Sequence, residues 1–159
     1  AMIQGYCIGG GMGLAVACDI RLCEDKSRFA IPAAKLGLGY GYEGIRRLAN
    51  LVGPAMVKEI FFTARQFSAG EAQEMGLVNR VLPPHMLAPY VDDYAKRISE
   101  NAPMTMESVK AIVQAIQDDE SARDLDALDA MVKACFASQD YIEGRRAFME
   151  KRKPDFTGS

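Results

Sequence analysis

The sequence has no tryptophan, one histidine (His85) and only four cysteines, Cys7, Cys18, Cys23 and Cys135. None of the cysteines forms a CxxC pair, which with a single histidine argues against a zinc site, and no metal is expected. Free, buried thiols in a reducing cytoplasm are the expectation for all four. No apolar run reaches the roughly 18 residues of a membrane span, and Gln4 and the glycines interrupt the one early apolar segment, so no signal-peptide pattern opens the chain. Excess charge is also lacking. The net charge is −2 with 25% charged residues, which argues against nucleic acid or an anionic membrane as partner.

What is present is ordinary for one globular domain: 159 residues, 49% of them hydrophobic. The first half alternates strand-like and helix-like segments. "AMIQGYCIGG" is expected to form one buried strand, and "GMGLAVACD" a helix that is apolar nearly all round and therefore buried. "IRLCE" and "SRFAIP" follow as short strands, an α/β pattern. Ile45, Leu48, Leu51 and Val52 recur at helical spacing until Gly53-Pro54, and a new helix starts at Pro54. Ser68 and Glu71 form a capping box, Gly76 suits the position after a helix, and 77–82 is expected to be a strand. Pro83-Pro84 changes the character: beyond it the chain is expected to be three or four helices, the last continuing until Pro154. The expected organisation is an α/β part, 1–83, and a helical part, 84–159. An apolar segment that begins at residue 1 leads us to expect further chain before it.

Gly9-Gly10-Gly11 delivers a strand to a helix start. Such a turn lets a ligand approach bare backbone and offers the positive end of a helix dipole to an anion or a developing oxyanion. It also serves as a tight turn with close packing, and local sequence alone leaves both roles open. A phosphate loop is excluded, because no Lys-Ser/Thr follows the glycines.

"GYCIGGGMGLAVACDIRLCEDKSRFAIPAAKLGLG", "VGPAMVKEIFFTARQFSAGEAQEMGLVNRVLP" and "EGRRAFMEKRKPDF" occur in that order, and together they resemble the enoyl-CoA hydratase/isomerase (crotonase) superfamily over the whole chain. The resemblance implies a spiral of ββα turns followed by helices that assemble a homotrimer or hexamer. It also implies an acyl-CoA thioester as substrate in fatty acid metabolism, with no cofactor beyond the substrate's own coenzyme A. Gly10 matches one of two backbone N–H donors that hold the thioester oxygen as an enolate forms. The other donor belongs to an earlier segment of family members. By the same resemblance Ile8, Gly9, Gly13, Pro32, Ala33 and Gly41 surround the acyl group, while Phe148 and Lys151 match contacts to the coenzyme A adenine and phosphates. An amphipathic, basic helix end explains the last two residues equally well.

Two departures carry weight. Hydratases of the family use a pair of carboxylates, and the matching positions here are Gly13 and Ala33. Neither moves a proton, so the usual hydration, and the isomerisation that relies on the second position, lose their acid and base. Glu43 is the one carboxylate in the loop 39–44 and is a speculative acid or base. Its alternative role is that of an acid in the first turn of a helix. Tyr40 and Tyr42 flank it and either orient a substrate or water or simply pack. Asp19 and His85 are expected to be structural and at the surface, respectively. Two functions therefore stand: an acyl-CoA-processing enzyme with a non-standard acid or base, or a catalytically weak acyl-CoA-binding scaffold.

Overall fold

The computed structural model describes residues 1–159. The chain divides into two compact units, Ala1–Asp92 and Asp93–Ser159.

In the first unit, strands β1 (Met2–Ile3), β2 (Tyr6–Ile8), β3 (Leu22–Glu24), β4 (Arg28–Ala30), β5 (Phe67–Ser68) and β6 (Arg80–Leu82) form two small sheets. β1, β3 and β6 pair in parallel in that order, and β4 joins β2 in parallel and β5 in antiparallel. The first four strands alternate between the two sheets along the chain, β5 stays with β4 and β6 returns to the other sheet, with helices α1 (Gly10–Ala17), α2 (Tyr42–Thr63) and α3 (Ala69–Glu74) between strands. Two strands precede each of α1 and α2, the ββα order expected from the sequence. The core of this unit contains Phe29, Phe67, Met12, Leu48, Ile60 and Leu77, all nearly fully buried.

The expected single strand over the first ten residues is two strands. Gly5, at φ 67°, breaks the extended backbone and moves the chain from one sheet to the other. α1 is also not buried all round: Met12 and Ala15 face the core, while Leu14 is 75% exposed. Small residues made the helix look uniformly apolar, yet only one face meets the core. Cys7 and Cys23 are buried as expected, but Cys18 is exposed and Cys135 half-buried.

α2 is two helical segments joined at Gly53, whose φ of 78° and ψ of 160° leave the helical region just before Pro54, as the sequence indicates. The capping box is present. The Ser68 hydroxyl accepts from the Glu71 N–H, and the Glu71 carboxylate accepts from the Ser68 N–H at 2.7 Å. Gly76, at φ 81°, follows the helix, but the next strand begins only at Arg80. Leu77 and Val78 are buried in the connection instead, and both of their N–H groups donate to the Ala72 carbonyl.

α4 (Pro84–Ser99) leads from the first unit into the second, which holds α5 (Pro103–Gln117), α6 (Leu125–Ala137) and α7 (Gln139–Glu150). α7 ends before Pro154. Lys151 adopts φ 54° and its N–H donates back to the Ala147 and Phe148 carbonyls, closing the helix with a left-handed cap. The tail then returns to the start of α7, where the buried Asp140 carboxylate accepts from the N–H groups of Thr157 (2.8 Å) and Gly158 (2.9 Å). Val109, Val113 and Ile116 of α5, at helical spacing, are exposed in this chain.

Candidate functional site

The glycine turn lies where β2 ends and α1 begins. Gly9 adopts φ 56° and ψ −115°, a conformation that an L side chain disfavours. Its N–H donates to the Ala30 carbonyl at 2.9 Å, and its own carbonyl accepts the first helical bond from Gly13. Gly10 is the first helical residue, so its N–H has no intrahelical carbonyl to bond, and the residue is exposed. No atom stands within 4 Å of where a Cβ would sit on Gly9, Gly10 or Gly11. Within residues 1–159, no neighbour requires glycine at these three positions. The turn is open backbone beside a free helix start.

The far end of α1 is anchored by Arg21, which is 4% exposed. Its Nε donates to the Leu77 carbonyl at 2.7 Å and its Nη1 to the carbonyls of Cys18 and Ala15. Burial lowers its pKa, with the nearby Cys18 and Asp19 acting in the opposite direction. The Arg21 N–H donates to the Asn79 Oδ1 at 2.8 Å, and the Asn79 N–H returns to the Arg21 carbonyl. No feature of the sequence marked Arg21 for this role.

Ile8 and Gly9 are half-buried at the strand end, and Gly13 is exposed on α1. Pro32 opens a 3-10 turn over Pro32–Leu36, in which Ala33 is 4% exposed. Gly41 precedes α2 as its N-cap, and its carbonyl accepts from Ile45. Glu43 lies in the first turn of α2, where its carboxylate accepts from Arg46 at 2.9 Å with its side chain 63% exposed. Tyr42 is 73% exposed, and both Asp19 and His85 are exposed.

Tyr40 lies near Gly13 and shares a cavity with Ala33. A Cβ on Gly13 would lie 3.9 Å from the Tyr40 hydroxyl oxygen. Tyr40 also lines, with Ala33, Leu38, Ile45, Lys58 and Phe61, a mostly apolar cavity of about 360 Å³. Glu43 does not line it. The sequence left Tyr40 to orient a substrate or water or to pack, and the ring contact with Gly44 that places it is not revealed by spacing.

In the second unit, Phe148 is 83% exposed and Lys151 exposed at the α7 cap. Phe148 lines a larger apolar groove of about 1030 Å³ together with Val109, Ile112, Phe136, Met149 and Phe156. No three His, Cys, Asp or Glu residues are grouped so that they could hold a metal ion, and no helix is long and apolar enough to cross a membrane.

A family model described as enoyl-CoA hydratase/isomerase matches residues 1–159. This chain belongs to the enoyl-CoA hydratase/isomerase family. It is 40% identical over 158 residues to a crotonyl-CoA hydratase of Syntrophomonas wolfei, covering 98% of this chain and 60% of that protein. It is 36% identical over 162 residues to a carnitinyl-CoA dehydratase of Salmonella arizonae, covering 99% of this chain and 62% of that one. The crystal structure of an enoyl-CoA hydratase/carnithine racemase from Magnetospirillum magneticum superposes with a TM-score of 0.88 at 33% identity, covering 99% of this chain and 59% of that one. The chain thus spans about three-fifths of the length of these relatives.

Proposed function

We propose that the protein processes an acyl-CoA thioester, holding the thioester oxygen at the Gly10 N–H while negative charge develops on it. The observation that carries this reading is the exposed, unbonded N–H of Gly10 at the start of α1, in a chain whose relatives are named for acyl-CoA thioesters, crotonyl-CoA and carnitinyl-CoA. When water adds to the β-carbon of an enoyl thioester, the electron pair displaced from the double bond moves through the α-carbon onto the carbonyl oxygen. A preorganised N–H aimed at that oxygen stabilises the enolate more than the ground-state carbonyl. Such a donor is worth about 3–4 kcal/mol in the transition state. On this reading the second donor comes from a segment that precedes residue 1 in the whole protein.

The proton requires another group. Gly13 and Ala33 supply none, and Glu43 is our candidate acid or base, with its Arg46 ion pair as the competing structural role. The missing carboxylates favour a second reading, in which the protein binds acyl-CoA with little or no turnover. Assays of the intact protein with crotonyl-CoA and a panel of other thioesters separate the two. Turnover that falls in Glu43→Gln is expected; unchanged turnover would remove Glu43 from the mechanism. Binding without turnover on any thioester would select the second reading. We further propose that the apolar groove at Phe136, Phe148 and Met149 is covered by another copy of the protein in a trimer or hexamer, and that Phe148 and Lys151 contact coenzyme A there.

A further inference from the structure

We infer that the Tyr40 phenol is the positioning group of this site. It donates its hydrogen bond to an oxygen at the β-carbon of the acyl group, in place of the side chain that Gly13 lacks. The inference rests on the acyl-CoA reading above and assigns a residue that neither the glycine turn nor the family resemblance supplies.

Three observations carry it. First, the ring is fixed. Phe61 meets it edge to face, with centroids 5.0 Å apart and planes at 73°. At the start of α2, a Cβ on Gly44 would lie 3.1 Å from Cε1 and 3.4 Å from Cδ1 of Tyr40, so glycine is what lets the ring lie there. Second, the hydroxyl has no hydrogen-bond partner among the protein's own groups, although a half-buried tyrosine hydroxyl ordinarily finds one. A rigid ring that carries an unused donor is arranged for a ligand at no ordering cost when the ligand arrives. Third, the donor stands over Gly13, three residues beyond Gly10 on the same helix and therefore on the same face. An acyl-CoA whose thioester oxygen meets Gly10 would run its acyl chain past this hydroxyl. The cavity beyond it, between Ala33 and Phe61, is apolar apart from Tyr40 and Lys58 and contains no carboxylate. Tyr40 is therefore a donor facing an acceptor on the ligand. No proton leaves it in this role.

The test is equilibrium binding of butyryl-CoA and 3-hydroxybutyryl-CoA, which differ only by the β-oxygen. The intact protein is expected to bind the hydroxylated ligand about threefold to tenfold more tightly, the net value of one hydrogen bond. Tyr40→Phe keeps the contact to Phe61 and is expected to erase that preference while leaving butyryl-CoA affinity and the melting temperature unchanged. Gly44→Ala displaces the ring without altering the hydroxyl, so it is expected to reduce the preference too, and it decides the matter if the Phe variant folds poorly. An equal affinity for both ligands in the intact protein, or a preference that survives Tyr40→Phe, overturns the inference and leaves the acyl-CoA reading standing. Failure to bind either ligand refutes the acyl-CoA reading itself, and the Tyr40 assignment with it.

Discussion

Gly9 and Gly10 are adjacent and chemically identical, yet the structure predicts opposite outcomes when each is replaced by alanine. At Gly9 the φ of 56° combined with a ψ of −115° lies outside even the left-handed helical region, and no atom within 4 Å would clash with a new Cβ. The penalty is therefore purely one of backbone conformation, about 1–3 kcal/mol. For a unit of this size that corresponds to a fall in melting temperature of about 5–20 °C. At Gly10 the backbone is already helical and the space is empty, so Gly10→Ala is expected to change stability by no more than about 0.5 kcal/mol. Its new methyl stands beside the exposed N–H where a thioester would approach bare backbone, so affinity for acyl-CoA is expected to fall at least tenfold. Urea unfolding of both variants, followed by calorimetric titration with butyryl-CoA, reads the two effects separately. If Gly9→Ala were as stable as the parent, the assigned turn geometry would be wrong. If Gly10→Ala lost stability in parallel with Gly9→Ala, or kept full affinity, the glycines would be packing residues and not a ligand-facing turn.

Two further outcomes follow from the charged and thiol groups. Hydrogen bonds from Arg152 and Arg146, then from the Asp155 N–H, hold the Glu143 carboxyl down at about 2 against an ordinary 4.5. Because the folded value is the depressed one, the stabilisation is complete above pH 4.5 and disappears as pH falls from there through 2. Glu143→Gln is expected to flatten that part of the stability–pH curve, and a curve unchanged by the substitution would contradict the network. Burial pushes the Cys23 thiol up to about 11 and also raises that of Cys7, whereas Cys18 is exposed. A thiol reagent at neutral pH should label Cys18 first and reach Cys7 and Cys23 only in denaturant, and early labelling of Cys23 would contradict the packing of β3.

Local rules were sufficient where one residue type does one job. Gly53-Pro54 broke α2, Ser68 with Glu71 capped α3, and the glycine run led a strand into a helix, because each depends on neighbours within a turn of the chain. Legibility ended where burial or long-range contact decides. The small residues of α1 have no strong periodicity, so the exposure of Leu14 did not show, and the change of sheet at Gly5 depends on which strands lie alongside. α7 stopped at Lys151, short of the proline, because a left-handed cap and a tail tied to Asp140 end it first. In the site, the absence of acid at Gly13 and Ala33 was plain from the sequence. That Tyr40 stands over Gly13 and shares a cavity with Ala33 was not, since that depends on the packing of Phe61 and Gly44.

Vibrational difference spectroscopy of an acyl-CoA with an isotope-labelled thioester carbonyl, bound to the intact protein, tests the Gly10 assignment most directly. A backbone N–H directed at the oxygen polarises the carbonyl, so its stretch is expected to move to lower frequency on binding. A bound thioester whose carbonyl absorbs where it does in water would contradict the account.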